Sequence, residues 1–188
     1  MYKRQAIGYQ NANASYPRYF NGNIDQVRVF NKALSTSEIT TLYNETTTTA
    51  NTLQVLGDTS CVAAYTFEGN ANDLDTSTPK NGTASNVIYD YSGTASSSVT
   101  YATGKFNKAA VFDGTSSYID IGGTLVNGLT SITLSAWVYT DPNTNYSYVM
   151  HVGDVNTAGD AFSISRWNNT ASSGYDAYTV YALSLIHI

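Results

Sequence analysis

The stretch Lys105–Thr140, KFNKAAVFDGTSSYIDIGGTLVNGLTSITLSAWVYT, decides the fold class. It holds two short apolar runs, Ala109 to Phe112 and Tyr118 to Ile121, then a third from Ile132 to Tyr139. In the third run Ile132, Leu134, Ala136 and Val138 fall on one side of an extended backbone, and Thr133, Ser135, Trp137 and Tyr139 on the other. That period of two is the signature of a strand. Bulk on both faces predicts an interior position in a sheet. Asp113-Gly114 followed by Thr-Ser-Ser offers a positive φ and side-chain acceptors for backbone N–H groups, which predicts a hairpin with Phe112 opposite Tyr118.

Composition points the same way. The 188 residues include 16 Tyr, 12% are charged, and Thr, Ser, Asn and Gly abound, which together favour sheet over helix. A net charge of -5 without any Lys/Arg run argues against nucleic acid as a partner. No apolar stretch is long enough to cross a bilayer as a helix, and no h-region opens the chain, so neither membrane insertion nor a secretion signal is expected of it. The lone Cys61 heads an apolar run and reads as a buried thiol.

Residues 1–5 and 183–188 match neither neighbouring pattern and back-translate to one sequencing adapter in opposite orientations. They are taken as scars and left out of the fold reading. Between them, Asn21-Gly22-Asn23 predicts a turn into a half-buried strand, Ile24 to Phe30, with Asp25, Val27 and Val29 on one face. Ser35 and Glu38 have capping-box spacing, flanked by Leu34 and Ile39 at staple positions, which predicts a short helix over 36–44 with Leu42 and Tyr43 on its apolar face. Residues 45–52 are Thr-rich and read as a linker or an edge strand. Further strands are expected at 61–67, 87–91, 99–102, 146–152, 161–167 and 175–181. Short strands between Gly, Asn, Asp and Ser clusters predict an all-β antiparallel sandwich or barrel.

At this point several motifs converge. The run from Phe20 to Tyr43, FNGNIDQVRVFNKALSTSEITTLY, resembles the closing strand and short helix of concanavalin A-like, laminin-G-like jelly-roll domains. Val62–Asp75, Gly104–Gly114, Tyr118–Ile121 and Ile132–Val138 resemble the opening strands of the same domain, in the same order. The resemblance implies an incomplete jelly roll. It divides the chain into the C-terminal part of one domain (6–45), a Thr-rich linker (46–60) and the N-terminal part of a second (61–182). The closing segment precedes the opening ones, as in a tandem array cut between repeats or in a circular permutation; the linker favours the array. The central portion of the family is not found. First and last strands are neighbours in such sandwiches, so Ile24 to Phe30 is expected beside Cys61 to Phe67.

The related laminarinase-like glycosidases carry a Glu-x-Asp-x-x-Glu strand, because glycoside hydrolysis needs two carboxylates at a set separation. The three glutamates here, Glu38, Glu45 and Glu68, are not so spaced, and no nucleophile elbow lies near His151, so no catalytic residues are expected. Asp73 with Asp75, and Asp154 with Asp160, are oxygen-rich pairs that would suit calcium, the cofactor the resemblance implies. Asp is equally a default turn residue. Trp137, Tyr139, Tyr146, Tyr148 and Trp167 are candidates for stacking on sugar rings, although aromatics on strands also pack across the sheet. The resulting expectation is a binding module of an extracellular, cell-surface or virion adhesion protein, similar to linked repeats in phage tails. Its partners would be a glycan or other surface polymer and neighbouring repeats. A structural spacer, or the non-catalytic appendage of a glycoside hydrolase, is the alternative.

Overall fold

A computed structural model describes residues 5–11, 17–46, 52–77, 81–86, 99–122, 125–126, 128–141, 146–152, 162–168 and 176–182. The chain runs through β1 (Gln5–Ile7), β2 (Tyr9–Asn11), β3 (Pro17–Tyr19) and β4 (Asn21–Phe30) to the single described helix, α1 (Thr36–Tyr43). Then follow β5 (Cys61–Tyr65), β6 (Thr83–Asn86), β7 (Thr100–Thr103), β8 (Lys108–Asp113) and β9 (Ser117–Asp120). The last are β10 (Thr133–Thr140), β11 (Tyr146–Val152), β12 (Phe162–Asn168) and β13 (Asp176–Ala182). The protein is mostly β, with several antiparallel sheets.

One sheet has six strands in the order β13-β12-β11-β1-β9-β6. A second has five, β10-β4-β8-β7 with β5 also paired to β4, and β2 with β3 forms a third of two. Ile7, Ile119, Val149 and Val152 of the first sheet share one buried core with Ile24, Val27, Tyr65 and Phe112 of the second, a sandwich-like arrangement. β4 holds its sheet together: it pairs with β10 along one side, and with β8 and then β5 along the other. The expected neighbourhood is therefore present, with Val27 opposite Tyr65 and Val29 opposite Ala63.

Several expectations are corrected. β10 lies at the end of its sheet's strand order rather than in its interior, and nearly all its residues are only half-buried. Asn21-Gly22-Asn23 is strand rather than turn: it is paired to both β10 and β8. Gly22 is needed there for close approach, since at φ +134° a Cβ would stand 2.1 Å from the Tyr139 carbonyl oxygen. The strand is also not half-buried, because every residue from Ile24 to Phe30 is out of solvent. Its outer face is covered by Leu42 of α1 with Leu53, Val55 and Leu56 from the far half of the expected linker. Strict alternation fails at Gln26, whose φ of +49° puts Ile24 in phase with Val27 and Val29 and turns Asp25 the other way. A register shift does the same to β5, so Cys61 packs with Phe30 and Ala64 outside the main core, not with Ala63 and Tyr65.

No hairpin joins β8 to β9. β8 pairs with β4 and β7, β9 with β1 and β6, so the connection arches from one sheet to the other. The Asp113 carboxylate accepts the N–H groups of Thr115, Ser116 and Ser117 at 2.8–3.0 Å and both serine hydroxyls. It curls the link on itself instead of aligning two strands. The capping box forms as expected, Glu38 Oε2 accepting from the Ser35 N–H at 2.8 Å. The staple does not: Ile39 and Tyr43 of α1 are exposed, and only Leu42 is buried. Gln5, set aside with the terminal scar, is buried in β1 opposite Val152. β1 and β2 had no sequence signal at all. The strand expected at 87–91, like Asp154 and Asp160, lies outside the described residues.

Candidate functional site

Where β10 meets β4 and the turn that follows β7, the outer face of the five-stranded sheet opens into a groove of about 440 Å³. Trp137 and Tyr139 project from β10 on the face opposite Val138, whose side packs on the core. Among the described strands β10 is an edge, so its side chains are flanked by a paired strand, β4, on one side only. Tyr139 is 77% exposed. Trp137 is flanked by the Tyr43 ring of α1, at 5.6 Å between centroids, and by the Lys105 ammonium 4.3 Å from its own ring centroid. Tyr43, Trp137 and Tyr139 thus make a strip of exposed and half-exposed aromatic surface with a cation at one side.

The polar wall comes from β4 and the turn after β7: Asn23, Asp25, Thr103 and Lys105. Asp25 is 2% exposed, and its Oδ2 accepts the Phe106 N–H at 2.9 Å. Burial pushes its carboxyl up to about 6 against the pull of that N–H, and the charge of Glu68 adds to the rise. Gly104 lets the turn lie against it, because a Cβ there would come 2.7 Å from Asp25 Oδ2. The bulge at Gln26 is what turns Asp25 away from the core. The sequence offered little cue to Asp25, one of three polar side chains, with Gln26 and Arg28, between Ile24 and Phe30.

The five aromatic candidates are not brought together. Trp137 and Tyr139 share the groove. Tyr146 and Tyr148 belong to β11 in the other sheet, with hydroxyls 3.2 Å apart. The Arg18 guanidinium lies 4.1 Å from the Tyr146 ring centroid, and His151, which is buried, packs edge-on to Tyr148. Burial, then the hydrogen bond with Tyr146, pushes the Tyr148 phenol up to about 12. Trp167 sits in β12, in register with Tyr146.

Asp73 and Asp75, one of the two candidate calcium pairs, are engaged in the turn after β5. Asp73 Oδ1 accepts the N–H of Ala64 at 2.8 Å and of Asp75 at 3.2 Å, while Asp75 Oδ1 accepts the N–H and hydroxyl of Ser77. These carboxylates build the turn after β5, and no group of three or more His, Cys, Asp or Glu suited to a metal occurs among the described residues. No protein-family model matches the chain, and no curated protein or solved structure matches it either.

Proposed function

We propose that the chain is a non-catalytic glycan-binding module, built from the closing part of one laminin-G-like jelly roll folded against the opening part of the next. The observation that carries the reading is the Tyr43–Trp137–Tyr139 strip beside a polar wall containing Asn23, Asp25 and Lys105. A sugar ring offers one apolar C–H face to such aromatics and a rim of hydroxyls to carboxylate, amide and ammonium groups. The pairing of β4 with β5 supports the jelly-roll part of the reading, since the closing and opening strands of the resemblance lie side by side. An adhesion protein of a cell surface or virion is the setting in which such a module would act.

A glycan array tests this, followed by calorimetry on the best ligand. Tyr139→Ala, at a position already in solvent, should leave the melting temperature unchanged and weaken binding up to about tenfold, the worth of one aromatic contact. Tyr148→Ala, on the other sheet, should leave affinity intact. Silence across a broad panel would favour the spacer instead, and binding lost through Tyr148 alone would move the site.

A further inference from the structure

A second feature lies on the other sheet and does not depend on the groove. β2 and β3 form a two-stranded ribbon that packs against β11. The ribbon sets the Arg18 guanidinium 4.1 Å from the Tyr146 ring centroid, with Nη1 donating to the Tyr148 hydroxyl at 3.4 Å. The hydroxyls of Tyr146 and Tyr148 are 3.2 Å apart, so the cation has two phenols beside it. Arg18 is half-buried and forms no ion pair among the described residues, although the chain carries a net charge of -5. Directly across the ribbon Gln10 is in register with Arg18, which puts the two side chains on one face. Gln10 is 9% exposed, and its Oε1 has no hydrogen-bond partner among the described residues.

A guanidinium resting on an aromatic ring is a preorganised fork of donors, and one without an acid of its own is matched by an oxyanion from outside. A buried amide oxygen without a donor is matched by a hydroxyl. The two needs together select a ligand that carries both groups. We propose that Arg18, Tyr148 and Gln10 form a second binding site, for an acidic sugar. Its carboxylate meets the Arg18 fork and the Tyr148 phenol, and a ring hydroxyl donates to Gln10 Oε1. A single cation on a chain with excess negative charge suits the one charge of a carboxylate better than the two of a phosphate. The site belongs to β11 and the ribbon over it, whereas Trp137 and Tyr139 belong to β10 in the five-stranded sheet.

The test is calorimetric titration of the whole chain with sodium D-glucuronate, D-galacturonate and N-acetylneuraminate, with D-glucose, sodium acetate and inorganic phosphate as comparisons. The expected result is saturable binding of at least one sugar acid, weaker at high salt, with the three comparison solutes about tenfold weaker or more. Arg18→Met keeps an apolar stem against the ring and should weaken binding roughly tenfold or more, the worth of a charge-assisted hydrogen bond. Tyr148→Phe keeps its ring and should weaken binding severalfold, which keeps the experiment decisive if Arg18→Met does not fold. Lys108→Gln, which removes a cation from the other sheet, should leave it unchanged. Silence for all three sugar acids would overturn the proposal, as would full-strength binding in Arg18→Met or Tyr148→Phe, or loss in Lys108→Gln. Glucose, acetate or phosphate binding as tightly as the sugar acids would overturn it too. Any of these failures leaves the aromatic groove to be judged by its own experiment.

Discussion

Replacing Glu45 by Gln keeps the side chain's size and removes its charge from one of the most enclosed polar contacts in the molecule. Its Oε2 lies 2.6 Å from Arg28 Nη1, and the two side chains are 1% and 2% exposed. Arg28 stands on the outer face of β4, and Glu45 follows α1, so the pair ties the end of the helix to the strand at the middle of the sheet. Breaking a buried ion pair from one side strands the remaining charge, at a cost of about 3–5 kcal/mol. Arg28 keeps a hydrogen bond from Nη2 to Gln26 Oε1 at 3.2 Å, which places the loss toward the lower end. At about 2–4 °C per kcal/mol for a chain of this size, the melting temperature should fall by roughly 6–20 °C. Urea unfolding followed by tryptophan emission measures the same loss. An apolar double variant, Arg28→Met with Glu45→Leu, should recover much of it, because a well-packed apolar pair replaces buried charges at little cost. A loss under about 1 kcal/mol for Glu45→Gln would refute the reasoning, since a pair of that worth behaves as a solvent-screened one.

Two further predictions follow from the titratable groups. Burial works against the Asp113 carboxylate, but the N–H groups of Ser116, Thr115 and Ser117 outweigh it and hold the group below the usual carboxylate range. A folded pKa below the unfolded value of about 3.9 means that its contribution to stability is complete above that pH and is lost on further acidification. Melting temperatures of wild type and Asp113→Asn measured between about pH 2 and 6 should therefore converge toward the acid end; parallel profiles would contradict this. Burial also pushes the Cys61 thiol up to about 12, with the Arg28 charge opposing it. The native chain should resist a disulfide reagent at about pH 8 and react promptly in urea, and fast labelling without denaturant would show the packing of Cys61 against Phe30 and Ala64 to be open.

Local pattern alone was enough for the class of this fold. Period-two runs separated by turn residues located most of the described strands to within a residue or two, and the Ser35/Glu38 spacing located α1, because both signals lie within a few neighbouring residues. The resemblance also led to the expectation of Ile24–Phe30 beside Cys61–Phe67, and the strands do pair, over Val27–Phe30 and Cys61–Tyr65. What could not be read locally was which face a residue takes once a bulge intervenes, as at Gln26, or whether a turn such as Asp113–Ser117 closes a hairpin or arches between sheets. β1 escaped notice because three residues carry no period, and only two flanking strands make Gln5–Ile7 a strand.

The aromatic site divides along the same line. Trp137 and Tyr139 were visible as alternating residues of one strand, but their exposure depends on β10 being an edge. Their separation from Tyr146 and Tyr148 depends on the chain crossing from one sheet to the other between them. Asp25, Lys105 and Gly104 enter the groove only because the register of β4 with β8 and β10 brings segments about 80 residues apart into contact. The chain's own order carries which residues alternate and where the backbone can turn, since those are properties of neighbours. Which of those residues meet in the groove was decided by strand register and layer, which are properties of the packed whole.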